Sequence, residues 1–161
     1  KGKSFKISLC GMHAMDIMRM ESGYLHWGHD ISPEENQFEA GLNFAVSFKK
    51  NINFIGRAAL EKKRDKKDHK KFKMLILNNS KEGAPLLLHD EPIYLKDKIV
   101  GRTTSGCYSF NYNKNLAFGY INSGLSSDEI DKEAFEIEIE KKKYQASVIT
   151  RPLNDKKLNS L

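Results

Sequence analysis

Groups capable of chemistry are concentrated in one short stretch of this 161-residue chain, Tyr24-Leu25-His26-Trp27-Gly28-His29-Asp30, where aromatic, imidazole and carboxylate side chains stand together. His26 and His29, with Asp30 beside them, are of the types that ligate zinc, and on a helix both imidazoles would share a face. Gly28 and the lack of any single period argue against a helix, and no third or fourth ligand stands at a matching spacing, so no metal is expected. The competing reading packs one imidazole and hydrogen-bonds the other locally. Trp27, the only tryptophan, offers a flat surface that either stacks on a planar ligand or plugs a core. Arg19 and Glu21 lie two apart, point to different faces of a helix and need separate partners. Their simplest reading is interdomain ion pairing. Gly-rich phosphate loops, a Ser-His-Asp order and a Cys-His pair all lack the necessary neighbours, which leaves no obvious nucleophile.

The elements that must position these groups differ between the two halves of the chain. Leu9, Cys10, Met12, Met15, Met18 and Met20 recur at helical steps and end at Gly23, which predicts a helix over 11–22 with its methionines packed in a core. Ser32-Pro33-Glu34-Glu35 carries the residues of a capping box and predicts a short helical turn. Phe44, Val46 and Phe48 alternate with small residues and read as a strand, after which Ala58-Ala59-Leu60-Glu61 favours a helix. Beyond Lys71 the pattern turns to short strands. They are Phe72 to Leu77, Pro85 to His89, Pro92 to Leu95, Ile99 to Gly101, Thr103 to Phe110 and Leu116 to Ile121. A hairpin alternating Phe135, Ile137 and Ile139 with glutamates completes the set. Such strands imply an antiparallel barrel or sandwich over about residues 72–152.

Composition narrows the class further. Hydrophobic residues make up 39% and charged residues 30% of the chain, enough to bury a core. The net charge of +6 is confined to residues 62–73, where eight basic residues face only Asp65 and Asp68. A Lys-dominated run without interleaved aromatics is typically a solvated helix end or linker, so no nucleic-acid partner is expected. No apolar run approaches the ~20 residues of a membrane span, and the start lacks a secretory h-region. Cys10 and Cys107 fit neither a metal pair nor a disulfide framework; two free thiols suit a reducing compartment.

The motif Arg19-Met20-Glu21-Ser22-Gly23-Tyr24-Leu25-His26-Trp27-Gly28-His29-Asp30 is followed by Glu39-Ala40-Gly41-Leu42 and Phe54-Ile55-Gly56-Arg57. Together these resemble the aminomethyltransferase family, which includes the glycine cleavage T-protein. Gly101-Arg102-Thr103-Thr104-Ser105-Gly106-Cys107 and Leu116-Ala117-Phe118-Gly119-Tyr120-Ile121 resemble that family's C-terminal barrel. The first motif is most similar to the folate-binding region of dimethylglycine and sarcosine dehydrogenases. Met15 stands where the T-protein has an active-site arginine, which again matches the dehydrogenase-like branch.

The resemblance implies an α+β fold. Residues 1–71 would be the incomplete helix-strand-helix end of the folate-binding domains, and residues 72–161 a C-terminal antiparallel β-barrel domain. It implies tetrahydrofolate as cofactor, FAD in an upstream domain, and a small N-methyl or aminomethyl substrate. The family's catalytic aspartate lies in earlier segments, so no catalytic residue is expected in this chain and its partner would be the N-terminal part of the same enzyme. Trp27 and Phe44 are the leading cofactor contacts, Arg19 and Tyr24 the next, and Glu21 is architectural. The expected compartment is the cytoplasm, or the mitochondrial matrix in a eukaryote. Alternatives are a free-standing aminomethyltransferase or folate-dependent demethylase without flavin, and a non-catalytic basic binding module. The Lys62–Lys73 run could attract a polyglutamate tail. Charge reversal there is then expected to raise KM for polyglutamylated folate but not for the monoglutamyl form, and equal effects on both would sink the idea.

Overall fold

Six antiparallel strands close on themselves between Lys71 and Ile149 in the computed structural model, which describes residues 2–50, 52–64, 69–150 and 152. They are β1 (Lys71–Leu77), β2 (Pro92–Leu95), β3 (Lys98–Ser109), β4 (Lys114–Ile121), β5 (Ala134–Ile139) and β6 (Lys142–Ile149). Their order around the barrel is β1-β4-β3-β2-β5-β6, and β6 returns to pair with β1. Closure leaves the sheet without an open edge. Two tight turns set the register of the hairpins. Lys96-Asp97 and Glu140-Lys141 all have positive φ, the conformation that two-residue loops need to follow the strands' twist.

The barrel interior is filled by alternate residues. Phe135, Ile137 and Ile139 point inward with Leu75, Leu77, Ile93, Ile121 and Ala146, while Glu136 and Glu138 occupy the intervening outward positions of β5. β4 is unlike the others because it is buried on both faces. Its Ala117 and Ile121 face the barrel core, while Leu116 and Phe118 face outward to meet Met20 and Met74. That outward cluster is the floor on which the N-terminal part sits.

Close strand packing explains two glycines. A Cβ at Gly101 would lie 1.9 Å from the Tyr120 carbonyl oxygen, and one at Gly119 would lie 2.6 Å from that of Arg102. Just beyond, the β3–β4 register shifts between Thr103 and Ser105, so β3 bends where its backbone approaches β4 most closely.

The N-terminal part comprises a 3-10 turn at Lys3–Phe5, α1 (Met12–Glu21), a turn-rich segment with a second 3-10 turn at Asn43–Ala45, and α2 (Arg57–Arg64). Gly23, at φ +78°, ends α1. Its amide donates to the Met20 carbonyl, and the Tyr24 amide reaches back to Arg19 at 2.8 Å, the paired bonds of a Schellman cap.

Several sequence expectations change here. Met20 is buried, but Met12, Met15 and Met18 are exposed: only one side of α1 meets β3 and β4, and these three methionines lie off that side. The strand expected over Phe44 to Phe48 does not form: the 3-10 turn Asn43–Ala45 runs into irregular chain and a bend at 48–50. The amides of Ala45 and Val46 donate to Leu42 and Asn43, so they are not available to a neighbouring strand. The alternation there reflects ring packing, with Phe48 against Phe38 and Phe54. Pro85 to His89 is a loop rather than a strand. Pro85 has no amide to donate, the Leu88 amide goes to the Glu91 carboxylate, and Pro85 and Leu87 are buried while Leu86, Leu88 and His89 are exposed. Ser32 to Glu35 forms a single turn held by Glu35 reaching the Ser32 amide and hydroxyl. Ile99 to Gly101 and Thr103 to Phe110 merge into the long β3.

Within the basic run, Lys70 pairs with Glu35 and Lys73 with Asp131; Lys66 and Lys67 lie outside the described residues. Among the described residues, no helix is long and apolar enough to cross a membrane. Cys10 and Cys107 are both free.

Replacing Gly101 by Ala is expected to destabilise the protein by about 2 kcal/mol or more, because the new methyl meets backbone that has no room to give. Gly11→Ala, with open space around the new methyl, is the control expected to change little in the same denaturant titration.

Candidate functional site

The stretch singled out by its chemistry folds around one carboxylate. Asp30 is 1% exposed, and a carboxylate so buried needs several donors. Its Oδ2 accepts from Arg19 Nη1 at 2.6 Å and from the His26 amide at 2.8 Å. Its Oδ1 accepts from the Thr104 hydroxyl at 2.6 Å and from the Ser105 hydroxyl at 2.8 Å. The Tyr120 hydroxyl donates to the Asp30 carbonyl at 2.8 Å. One residue therefore ties α1, the loop after it, β3 and β4 together.

Arg19 is the cationic counterpart. It also donates through Nε to Asp16, through Nη2 to the Ser105 hydroxyl and through Nη1 to the Tyr24 carbonyl, and its guanidinium lies 5.7 Å from the centre of the Phe118 ring. Glu21 faces another way, as the two-residue spacing requires. Its carboxylate accepts from the Ser109 hydroxyl and from the side-chain and backbone amides of Asn111. Glu21 thus anchors α1 to the far end of β3.

With its ends held, the loop presents its rings outward. Trp27 is 66% and Tyr24 65% exposed. Both line a cleft of about 900 Å³ between the N-terminal part and the barrel, and Phe44, 83% exposed, lines it too. Phe72, Met74 and Phe118 lie on the barrel side, where Lys73 and Asp131, paired at 2.5 Å, also line it. Of the four residues expected to contact a cofactor, the structure brings Tyr24, Trp27 and Phe44 to one cleft. Arg19 lies behind the loop and does not line it.

In the sequence Asp30 stands out as the neighbour of two histidines and as the last residue of the Arg19–Asp30 motif, but not as a structural centre. The signals for its structural position were Arg19 eleven residues earlier and the hydroxyl pair Thr104-Ser105. The His26 and His29 rings lie against each other, tilted by 38° with centres 4.6 Å apart. Among the described residues no group of three or more His, Cys, Asp or Glu side chains is placed to hold a metal.

Electrostatics around the docked face follow burial. Burial, and secondarily the Glu21 carboxylate, push the Cys107 thiol up to about 12, so this cysteine stays protonated and is a poor nucleophile. Burial and the nearby Glu35 and Asp30 charges raise Tyr120 as well, keeping its hydroxyl a donor. For Glu35, burial pushes upward, but the hydrogen bonds from Lys70 and Ser32 outweigh it and its carboxyl lies below the ordinary 4.5.

Comparison with known proteins now bears on this geometry. Residues 70–155 match the family model described as the glycine cleavage T-protein C-terminal barrel domain, and residues 1–50 match the GCVT N-terminal domain. The chain is 35% identical over 143 residues to the mitochondrial dimethylglycine dehydrogenase of Mus musculus, covering 89% of this chain and 16% of that protein. It is 35% identical over 142 residues to the aminomethyltransferase of Listeria innocua, covering 88% of this chain and 37% of that protein. The chain thus spans well under half the length of either relative. The crystal structure of glycine cleavage system aminomethyltransferase T from Bartonella henselae superposes with a TM-score of 0.77 at 22% identity. That match, covering 91% of this chain and 40% of the other, shows the fold.

The lowered Glu35 carboxyl gives a pH prediction. It contributes stability that is complete above its unfolded value near 4.5 and is lost as pH falls through the lower folded value. Glu35→Gln should lower thermal stability at neutral pH, and the gap to the parent should narrow as pH drops below that unfolded value. A gap unchanged with pH would show that the Lys70–Glu35 pair does not stabilise the fold.

Proposed function

This chain belongs to the glycine cleavage T-protein family, and we propose that it forms the C-terminal part of a tetrahydrofolate-dependent one-carbon transferase of the dimethylglycine dehydrogenase kind. Residues 1–71 would be the incomplete end of the folate-binding region and residues 72–161 its barrel domain, residues 153–161 lying outside the described residues. The observation that carries the reading is the convergence of Tyr24, Trp27 and Phe44 on one cleft. Exposed rings are poorly solvated on their faces, and a flat aromatic ligand covers them with offset or edge contacts worth about 0.5–1.5 kcal/mol per pair. A volume of about 900 Å³ suits a ligand with two ring systems.

In this reading Trp27 and Phe44 hold the ring faces, and the Tyr24 hydroxyl supplies a polar contact at the rim. When bound, tetrahydrofolate supplies the ring nitrogen that takes up a one-carbon unit from a small N-methyl or aminomethyl substrate. The chain's own residues position that cofactor and exclude water from it. The catalytic group comes from elsewhere in the enzyme, and FAD, where the enzyme oxidises its amine, belongs to an upstream domain. The compartment is the cytoplasm or a mitochondrial matrix.

Equal identity of 35% to the dehydrogenase and to the aminomethyltransferase supports a second reading, a transferase without flavin. A dinucleotide-binding glycine motif far upstream in the whole protein would separate the two. A basic binding module draws less support, because Lys70 and Lys73 are engaged in ion pairs.

Trp27→Ala and Phe44→Ala in the intact protein are each expected to raise the Kd for 5-formyltetrahydrofolate about tenfold, the equivalent of about 1.4 kcal/mol. Unaltered binding in both by isothermal titration calorimetry would remove the cleft as the folate site.

A further inference from the structure

We infer that Asp30, through its ion pair with Arg19, is the positioning residue of the aromatic cleft: it fixes where Trp27 and Tyr24 stand relative to the barrel wall. The inference rests on the reading of the cleft as the folate site, and it assigns to Asp30 and Arg19 an effect on the ligand that neither exerts by contact.

The geometry supports this in three ways. First, the pair closes the loop on itself. Arg19 donates to the Tyr24 carbonyl at the loop's start, and Asp30 accepts the His26 amide and the Arg19 guanidinium at its end. Within this ring Gly28 turns with φ +89°, its amide bonding Ile31, and Trp27 is carried at the turn. Second, the pair is registered to the barrel by Thr104, Ser105 and Tyr120. The loop wall of the cleft is thereby referred to β3 and β4, the latter carrying Phe118 on the opposite wall. Third, neither Asp30 nor Arg19 lines the cleft. A change at Asp30 therefore reaches a ligand through the loop, and one at Arg19 through the loop or through the Phe118 ring it faces.

A second anchor of the same helix provides the contrast. The Glu21 carboxylate holds α1 to Ser109 and Asn111, residues at the end of β3 and beyond it rather than in the aromatic loop. Loss of Glu21 loosens the helix without releasing the rings, and loss of Asp30 does both.

The test uses the intact protein labelled with 5-fluorotryptophan, with the Trp27 resonance assigned by its disappearance in Trp27→Phe. In Asp30→Asn and Arg19→Lys the ligand-free Trp27 fluorine line is expected to shift or split. The Kd for 5-formyltetrahydrofolate should rise by about tenfold, with turnover at saturating folate held within about twofold. Glu21→Gln should keep the parent line and the parent Kd. An unchanged Trp27 line in Asp30→Asn, or an equal change in Glu21→Gln, overturns the inference. Should Asp30→Asn fail to fold, the double variant Thr104→Val, Ser105→Ala removes both donors to Oδ1 while sparing the ion pair. A smaller displacement of the same line then supports the inference, and no displacement overturns it. If Trp27→Ala leaves folate binding intact, the cleft reading falls, whereas the ligand-free line still decides whether Asp30 positions the loop.

Discussion

A carboxylate removed from water must be met by donors from every side, and Asp30 meets that demand by drawing three elements to its side chain and a fourth to its backbone. Arg19 from α1, the His26 amide from the loop, and Thr104 and Ser105 from β3 donate to the carboxylate, while Tyr120 from β4 donates to the Asp30 carbonyl. Breaking such a group's pairing leaves a buried charge uncompensated, a penalty of about 3–5 kcal/mol in other proteins. The hydroxyl and amide donors make the arrangement tolerable, because an ion pair alone seldom compensates its own desolvation. The contacts also specify geometry: each donor has one direction to satisfy, so helix, loop and barrel meet in a single arrangement.

The barrel makes this possible by offering a rigid outer face. Closure through the β6–β1 pairing fills the interior with aliphatic and aromatic side chains. β4, apolar on both sides, then serves two cores at once. A strand with one wet face would have given Met20 and the loop nothing to pack against. The glycines at 101 and 119 belong to the same solution, since they let β3 and β4 approach closely where β3 bends. The exposed Met12, Met15 and Met18 show the complementary fact that α1 contacts the barrel along only one side.

Much of the strand layout was legible. Alternation in β5 and β6, the turn signals at Lys96-Asp97 and beyond Ile139, and the continuous apolar run of β4 depend on local chemistry that a single sequence displays. Phe44 to Phe48 and Pro85 to His89 resemble strands without being strands, because the run of apolar residues in a segment does not say whether its backbone finds a partner. In both segments the amides were claimed locally, by the Leu42 and Asn43 carbonyls and by the Glu91 carboxylate. The family, too, was legible from spaced motifs.

What the sequence determined by itself is the α+β class, the barrel's hydrophobic pattern, the helix stop at Gly23 and the separation of Arg19 from Glu21 onto different faces. Each follows from the period of a helix or strand and from the conformations glycine allows. Only the tertiary structure decided that Arg19 belongs to Asp30 rather than to a ligand, that Asp30 meets hydroxyls 74 and 75 residues away, and that Tyr24, Trp27 and Phe44 share a cleft while Arg19 stands behind it. These outcomes depend on which distant donor reaches a buried charge first and best. No local period encodes that competition.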